Sequence, residues 1–354
     1  MREQLPDFPW DALAPFGDIA RSHVDGIIDL SVGTPVDPTP EFIQKAFREA
    51  SNSPSYPVTA GTPELRAAIR KWASDRLGAS GEFDVLPLIG SKELVAWLPT
   101  ILESKEVLIP QIAYPTYHVG ALIAQARSIP VDIDAAIWPT ADLAWINSPS
   151  NPTGRVHSTD EIQAAINWSR RNSATLVSDE CYLEFDDTAT SFSVLSQTGG
   201  NNTNILALHS LSKRSSMAGY RAAFMVGDPT LIARIRQLRK HAGMMVPLPV
   251  QEAMTIALAD DLHVSEQRAR YNARRNALRP ALEAVGFRIE FSDSGLYLWC
   301  TRNEDAWASV EWLAHRGILV TPGSFYGAAG AQFIRCAMTV TDAKIFDAVS
   351  RLKA

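Results

Sequence analysis

The stretch Ser210-Leu211-Ser212-Lys213-Arg214-Ser215-Ser216 places one lysine among hydroxyls, and Arg221 follows that lysine by eight residues. It comes after an apolar run, residues 205–208, that reads as a buried strand. A lysine there can bond covalently to an aldehyde when its neighbours lower its pKa, while the hydroxyls and the arginine can hold a phosphate. Two other readings fit the same residues: a polar surface turn, and the Ser-x-x-Lys of acyl-transferring serine enzymes. Three more polar clusters sit just past apolar runs. Gly90-Ser91-Lys92 opens a helix, whose free N–H groups attract phosphate. Asn147-Ser148-Pro149-Ser150-Asn151-Pro152-Thr153-Gly154 and Asp179-Glu180-Cys181-Tyr182 are the other two.

The elements that must position these groups alternate along the chain. Apolar runs at 85–89, 107–109, 143–146, 175–177, 205–208 and 222–226 read as strands. Helices fit between them, at 91–97, at 117–126, and from Ser158, where Ser158-x-x-Glu161 is a capping box. This is an α/β pattern: a mainly parallel sheet flanked by helices, with ligands at the carboxyl ends of its strands. All four polar clusters fall at that edge.

Past Gly227 the alternation becomes irregular. Helices at 229–240, 250–259 and 262–284, with arginine-rich outer faces, precede short strands at 287–291, 296–300, 318–320 and 333–336 and a last helix at 342–352. The expectation is a large domain over 34–261, and a smaller α+β unit made of 262–354 with the arm 1–33. Pro6, Pro9 and Pro15 among Phe8, Trp10 and Phe16 make that arm read as an extended segment that packs its aromatics elsewhere. Gly33 ends a short strand in a Gly/Pro turn where backbone can approach a ligand. Tyr56 lies in a loop ahead of a helix that Thr62 caps and Pro63 opens, and by itself reads as a packing residue.

A chain of 354 residues has room for two cores, and 46% hydrophobic with 20% charged residues is ordinary for a globular protein. A formal charge of −6 offers no general attraction to nucleic acid or anionic membrane, so an anionic ligand must be caught locally. Cys181, Cys300 and Cys336 are odd in number and far apart, which fits neither a disulfide framework nor zinc. No basic-then-apolar leader or membrane-length run is seen, and the expected location is the cytoplasm.

Taken in order, Asn151-Pro-Thr-Gly154, Asp179-x-x-Tyr182 and Ser210-x-x-Lys213 with Arg221 resemble the fold-type I pyridoxal-phosphate aminotransferases of class I/II. The likeness runs from Asp29-Leu30-Ser31-Val32-Gly33 to Phe333-Ile334-Arg335. It implies that Lys213 carries the cofactor and shuttles a proton, with Asp179 paired to the pyridine nitrogen. Tyr182 and Asn151 would meet the 3′ oxygen, and Tyr114 would stack on the ring. Ser91, Lys92, Ser210 and Arg221 would hold the phosphate, with Tyr56 reaching the neighbouring subunit's phosphate in a homodimer with shared sites. Arg335, Gly33 and Asn151 would receive the substrate's α-carboxylate.

Asp29 to Pro38, Ile89 to Leu94, Ser178 to Tyr182, Arg239 to Pro247 and Gly295 to Trp299 further resemble the actinobacterial N-succinyldiaminopimelate aminotransferases of lysine and cell-wall biosynthesis. That likeness implies exchange of an amino group between glutamate and N-succinyl-2-amino-6-oxopimelate. The substrate's distal carboxylate would meet Lys92, with Arg214, Arg239 and Lys240 as further candidates. The rival readings are another class I/II amino-acid aminotransferase, a pyridoxal-dependent C–S β-lyase using the same Lys213, Asp179 and Arg335, and a non-catalytic regulatory module of the same fold.

Overall fold

The computed structural model describes residues 5–186 and 190–353; the first four residues of the expected arm lie outside the described residues. Ile28–Asp29 is β1. A seven-stranded sheet is then built from β2 (Asp84–Ile89), β3 (Glu106–Pro110), β4 (Arg127–Val131), β5 (Leu143–Asn147), β6 (Thr175–Asp179), β7 (Ile205–Ser210) and β8 (Ala222–Gly227). Its order is β2-β8-β7-β6-β5-β3-β4. Neighbours pair parallel from β7 through β4, whereas β8 runs antiparallel to both β7 and β2. The reversal has a simple cause: only residues 211–221 separate β7 from β8, too few for the crossover that a parallel neighbour needs. The chain therefore turns back at one edge, with Lys213 just after β7 and Arg221 just before β8.

Alternate residues of each strand enter opposite cores, as a period of two requires. Val85, Leu108, Ala144, Leu176, Ala207 and Phe224 pack with Leu65, Ile69, Trp72, Ile162, Trp168 and Met254. Leu86, Val107, Leu143, Val177, Leu206 and Ala223 pack with Leu94, Leu98, Tyr117, Ile232 and Ile235 on the other face. Every residue of β5 to β8 is buried. The predicted caps form: Thr62 accepts from the Leu65 N–H, and Ser158 and Glu161 complete a reciprocal capping box. β4 escapes the apolar pattern because it is an edge strand containing Pro130, which an edge tolerates.

The rest of the chain gathers around a third core. β9 (Arg288–Glu290), β10 (Tyr297–Thr301), β12 (Thr321–Pro322) and β13 (Ile334–Ala337) form an antiparallel sheet, while β11 (Ile318–Leu319) pairs parallel with β1. Leu13, Ala20, Ile28 and Leu30 share this core with Tyr271, Leu278, Leu298, Val310 and Ile345. Two expectations are corrected here. The arm is not extended after residue 8: Pro9–Leu13 is a 3-10 helix and Ala14–Arg21 an α-helix, because Pro9 and Pro15 occupy first-turn positions where a missing N–H costs nothing. Nor are all the arginines of the later helices on outer faces, since Arg239, Arg274 and Arg275 are buried. Arg239 pairs with Glu93, and Arg274 clasps Asp37 and Asp342.

Candidate active site

The sheet register brings the polar clusters to one edge: Asn147 lies opposite Asp179, Ser210 opposite Ala223, and Ile89 opposite Ala222. Above this edge is a cavity of about 1020 Å³. Gly33, Ser91, Lys92, Tyr114, Asn151, Asp179, Tyr182, Ser210, Lys213, Arg221 and Arg335 all line it. Tyr56 does not join them and is 93% exposed in the single chain.

Asp179 is 7% exposed at the end of β6. Tyr117 Oη donates to its Oδ2 at 2.8 Å and the Cys181 N–H to its Oδ1 at 3.2 Å. Burial pushes its carboxyl above the ordinary range, with Cys181 and Tyr117 pulling it back. Lys213 is drawn down to about 8 by burial, with the Cys181 thiol opposing and Arg335 and Arg221 reinforcing the shift. Its amine therefore gives up a proton more readily than an ordinary lysine.

At the phosphate-like end, Ser91 begins helix Ser91–Ile101, so its first N–H groups are free of intrahelical partners. Gly90, at φ +76°, has no room for a side chain: a Cβ would sit 2.1 Å from Arg221 Nη2. The missing side chain is what lets the guanidinium approach this helix start. Ser210 accepts from the Ser212 N–H, a bond that shapes the turn.

Arg335, on β13, is 3% exposed. Its Nη1 donates to Asn151 Oδ1 at 2.9 Å and its Nη2 to the Ser31 carbonyl at 2.7 Å, while Nε is buried with no partner. The guanidinium lies 4.1 Å from the Tyr297 ring centre and 5.2 Å from that of Tyr326. Tyr297 and Tyr182 hydroxyls are 3.2 Å apart, and a Cβ on Gly33 would come within 2.3 Å of Tyr297 Oη. Backbone at Gly33, a tyrosine pair and a fixed guanidinium thus converge.

Several site groups went unassigned in the sequence. Tyr117 orients Asp179, and Asn147 orients Asn151: its Nδ2 donates to the Asp179 carbonyl at 2.8 Å and its Oδ1 accepts from the Asn151 N–H at 2.7 Å. Cys181, Tyr297, Trp10 and Tyr326 also line the cavity. Asn147 and Cys181 lay inside recognised clusters, whereas nothing local marked Tyr117. Of the four distal candidates, two are engaged in ion pairs away from the cavity. Buried Arg214 pairs with Glu184 at 2.8 Å and buried Arg239 with Glu93 at 2.6 Å, and neither arginine lines the cavity. Lys240 is exposed and lies outside the cavity lining. Lys92 remains, exposed at the rim with Nζ 5.5 Å from the Phe8 ring centre.

A helix N-terminus beside an arginine, a lysine with a lowered pKa and a buried aspartate at one sheet edge fit the three ends of pyridoxal phosphate. Residues 25–352 match the family described as aminotransferase class I and II; the chain belongs to this family, whose enzymes depend on pyridoxal phosphate. It is 51% identical to a probable aminotransferase of Mycobacterium tuberculosis, over 98% of this chain and 85% of that one. It is 49% identical to the 4-dedimethylamino-4-oxo-anhydrotetracycline transaminase of Streptomyces rimosus, over 99% and 100%. A solved structure of a probable N-succinyldiaminopimelate aminotransferase from Thermus thermophilus superposes with a TM-score of 0.90 at 26% identity, covering 98% of this chain and 99% of that one.

Proposed function

We propose that this aminotransferase moves an amino group between glutamate and the carbonyl of N-succinyl-2-amino-6-oxopimelate, in diaminopimelate and lysine biosynthesis in the cytoplasm. When bound, pyridoxal phosphate supplies the aldehyde carbon that carries the amino group and the ring that accepts electrons from the substrate's α-carbon. The chain supplies the rest. Lys213 Nζ anchors the cofactor and takes the α-proton, and the Asp179 carboxylate keeps a proton on the ring nitrogen. Tyr114, Asn151 and Tyr182 line the cavity, where Tyr114 would stack on the ring and Asn151 and Tyr182 would hold its 3′ oxygen. The Ser91 and Lys92 N–H groups, Ser210 and Arg221 hold the phosphate. Arg335, a cavity-lining guanidinium with Asn151 and Gly33 also on the lining, receives the α-carboxylate.

The observation that carries the substrate is the cationic lining. Beyond Lys213, Arg221 and Arg335, the cavity among the described residues presents one further lysine or arginine, Lys92, at its rim. A substrate with a second, distal carboxylate needs such a partner, because an unpaired anion in an apolar cavity is costly. Lys92→Ala is expected to raise KM for the succinylated substrate roughly tenfold with little change for glutamate. Equal effects on the two substrates would remove Lys92 as selector. A second reading has its own support: Phe8, Trp10, Tyr114, Tyr297, Phe325 and Tyr326 give the cavity an aromatic wall, and the Streptomyces relative is named for a polycyclic substrate. Turnover of an anhydrotetracycline ketone but not of the succinylated oxopimelate would establish it.

The division at residue 261 and a homodimer with shared sites belong to the same proposal. A core formed mainly by the arm and the chain after 262, joined by Tyr182 and Phe185, supports the first. Tyr56 supports the second: it is 93% exposed beside the similarly exposed Val58, at 62%, which suits burial against a second copy whose phosphate site it completes. Mixing Tyr56→Phe with Lys213→Ala protein is expected to restore activity above that of either alone, because one hybrid site carries both native residues. A fully active monomer would end the idea.

A further inference from the structure

Outside the cavity, Ser215, two residues after Lys213, forms a hydrogen-bonded relay with His263 and Asp260. Ser215 Oγ and His263 Nε2 are 2.8 Å apart, and His263 Nδ1 lies 2.6 Å from Asp260 Oδ1. The His263 N–H also donates to that carboxylate oxygen, at 2.9 Å. An ionised Asp260 can only accept, so Nδ1 carries the imidazole proton and the bare Nε2 accepts from the Ser215 hydroxyl. The same order of groups activates serine nucleophiles. Ser215, however, is 1% exposed and lies outside the cavity lining, so no substrate reaches its Oγ and a positional role is left.

What Ser215 positions is the turn carrying Lys213. It is the C-cap of helix Leu211–Arg214, and its N–H donates to the Leu211 carbonyl at 3.2 Å. Ser216 follows at φ +50°, with its carbonyl held by Thr39 Oγ1 at 2.6 Å. His263 stands in the first turn of helix Leu262–Ala284, beside the proposed division of the chain. The charged groups facing it are Asp260, Arg214 and Glu184, and the Phe42 ring meets it edge-on at 5.5 Å.

We propose that His263, oriented by Asp260, is a positioning residue for Lys213: through Ser215 it locks the turn that aims the lysine amine and ties that turn to the start of the Leu262–Ala284 helix. This rests on Lys213 being the lysine that carries the cofactor. Burial lowers the His263 pKa, which keeps Nε2 available as an acceptor. Loss of the lock leaves Arg335 on its own strand untouched, so substrate binding and chemistry should separate.

The test compares Ser215→Ala, His263→Ala and His263→Gln, the last retaining an acceptor for Ser215, with Lys213→Ala as control. The readouts are the pH midpoint of the lysine-linked cofactor's visible absorbance, the rate at which apoprotein captures pyridoxal phosphate, and kcat and KM for the amino donor. Ser215→Ala and His263→Ala are expected to slow capture and kcat roughly tenfold and to shift the midpoint, with KM unchanged and His263→Gln largely rescued. A Ser215→Ala protein with native midpoint, capture rate and kcat would overturn the proposal, even if His263→Ala fails to fold. If Lys213→Ala keeps the visible band, the underlying assignment of Lys213 fails instead.

Discussion

Replacement of Lys213 by alanine is expected to abolish covalent attachment of the cofactor and to reduce turnover by at least about 10⁴-fold, the upper range for removal of a positioned proton carrier. The fold should survive. Lys213 sits on a four-residue helix at the sheet edge, and its folded-state pKa, near 8, is below its ordinary value of 10.5. With the folded pKa depressed, the unfolded chain binds the proton more tightly. The associated stability is present above about 10.5 and lost as pH falls through 8. At pH 7 the native lysine is therefore a burden, and apo Lys213→Ala is expected to melt no lower than the native apoprotein. In the native apoprotein, capture of pyridoxal phosphate should accelerate as pH rises through 8. A variant that keeps a borohydride-reducible link would transfer the role to another lysine.

Asp179→Asn is expected to keep the cofactor bound and to lower kcat by roughly 10²–10³-fold, the usual cost of removing one preorganised electrostatic contact. Asparagine retains an oxygen for one of the two donors, Tyr117 Oη and the Cys181 N–H, but carries no charge to hold a proton on the ring nitrogen. The stability consequence has the opposite sign to the catalytic one. Burial raises the Asp179 pKa above its ordinary value of 3.8; its stabilising contribution is complete below that value and is lost as pH rises through the folded value. Apo Asp179→Asn should therefore be at least as stable as native protein at neutral pH, a separation of stability from activity found at functional sites. Single-turnover rates within a factor of about three of native would show that Asp179 is not the electron-sink partner.

The main sheet and the placement of most of the site were legible because two simple signals agreed. Buried strands read as apolar runs, and polar clusters followed them at the edge where a parallel sheet binds ligands. The return from β7 to β8 then explains why Lys213 and Arg221 are so close in sequence: one reversal presents both to a single cavity. The illegible parts depend on pairings distant in sequence. Arg239 looked like a solvated last-turn arginine until Glu93, 146 positions away, met it in the interior. Tyr117 and Asp179 are separated by 62 residues, and Ser215 and His263 by 48. Periodicity along one element carries no trace of such contacts. The proline-rich arm misled for a local reason, since proline opens a helix as readily as it ends one.

The most direct measurement is a single-turnover absorbance titration of the enzyme loaded with pyridoxal phosphate. Glutamate, N-succinyl-LL-diaminopimelate and the amine formed from the anhydrotetracycline ketone are each mixed with it in the absence of any keto acid. The account predicts complete conversion of the cofactor band by the first two amines, full reversal when N-succinyl-2-amino-6-oxopimelate is added, and no conversion in Lys213→Ala. Conversion by glutamate that the succinylated ketone fails to reverse, while the tetracycline ketone does, would contradict the substrate assigned here.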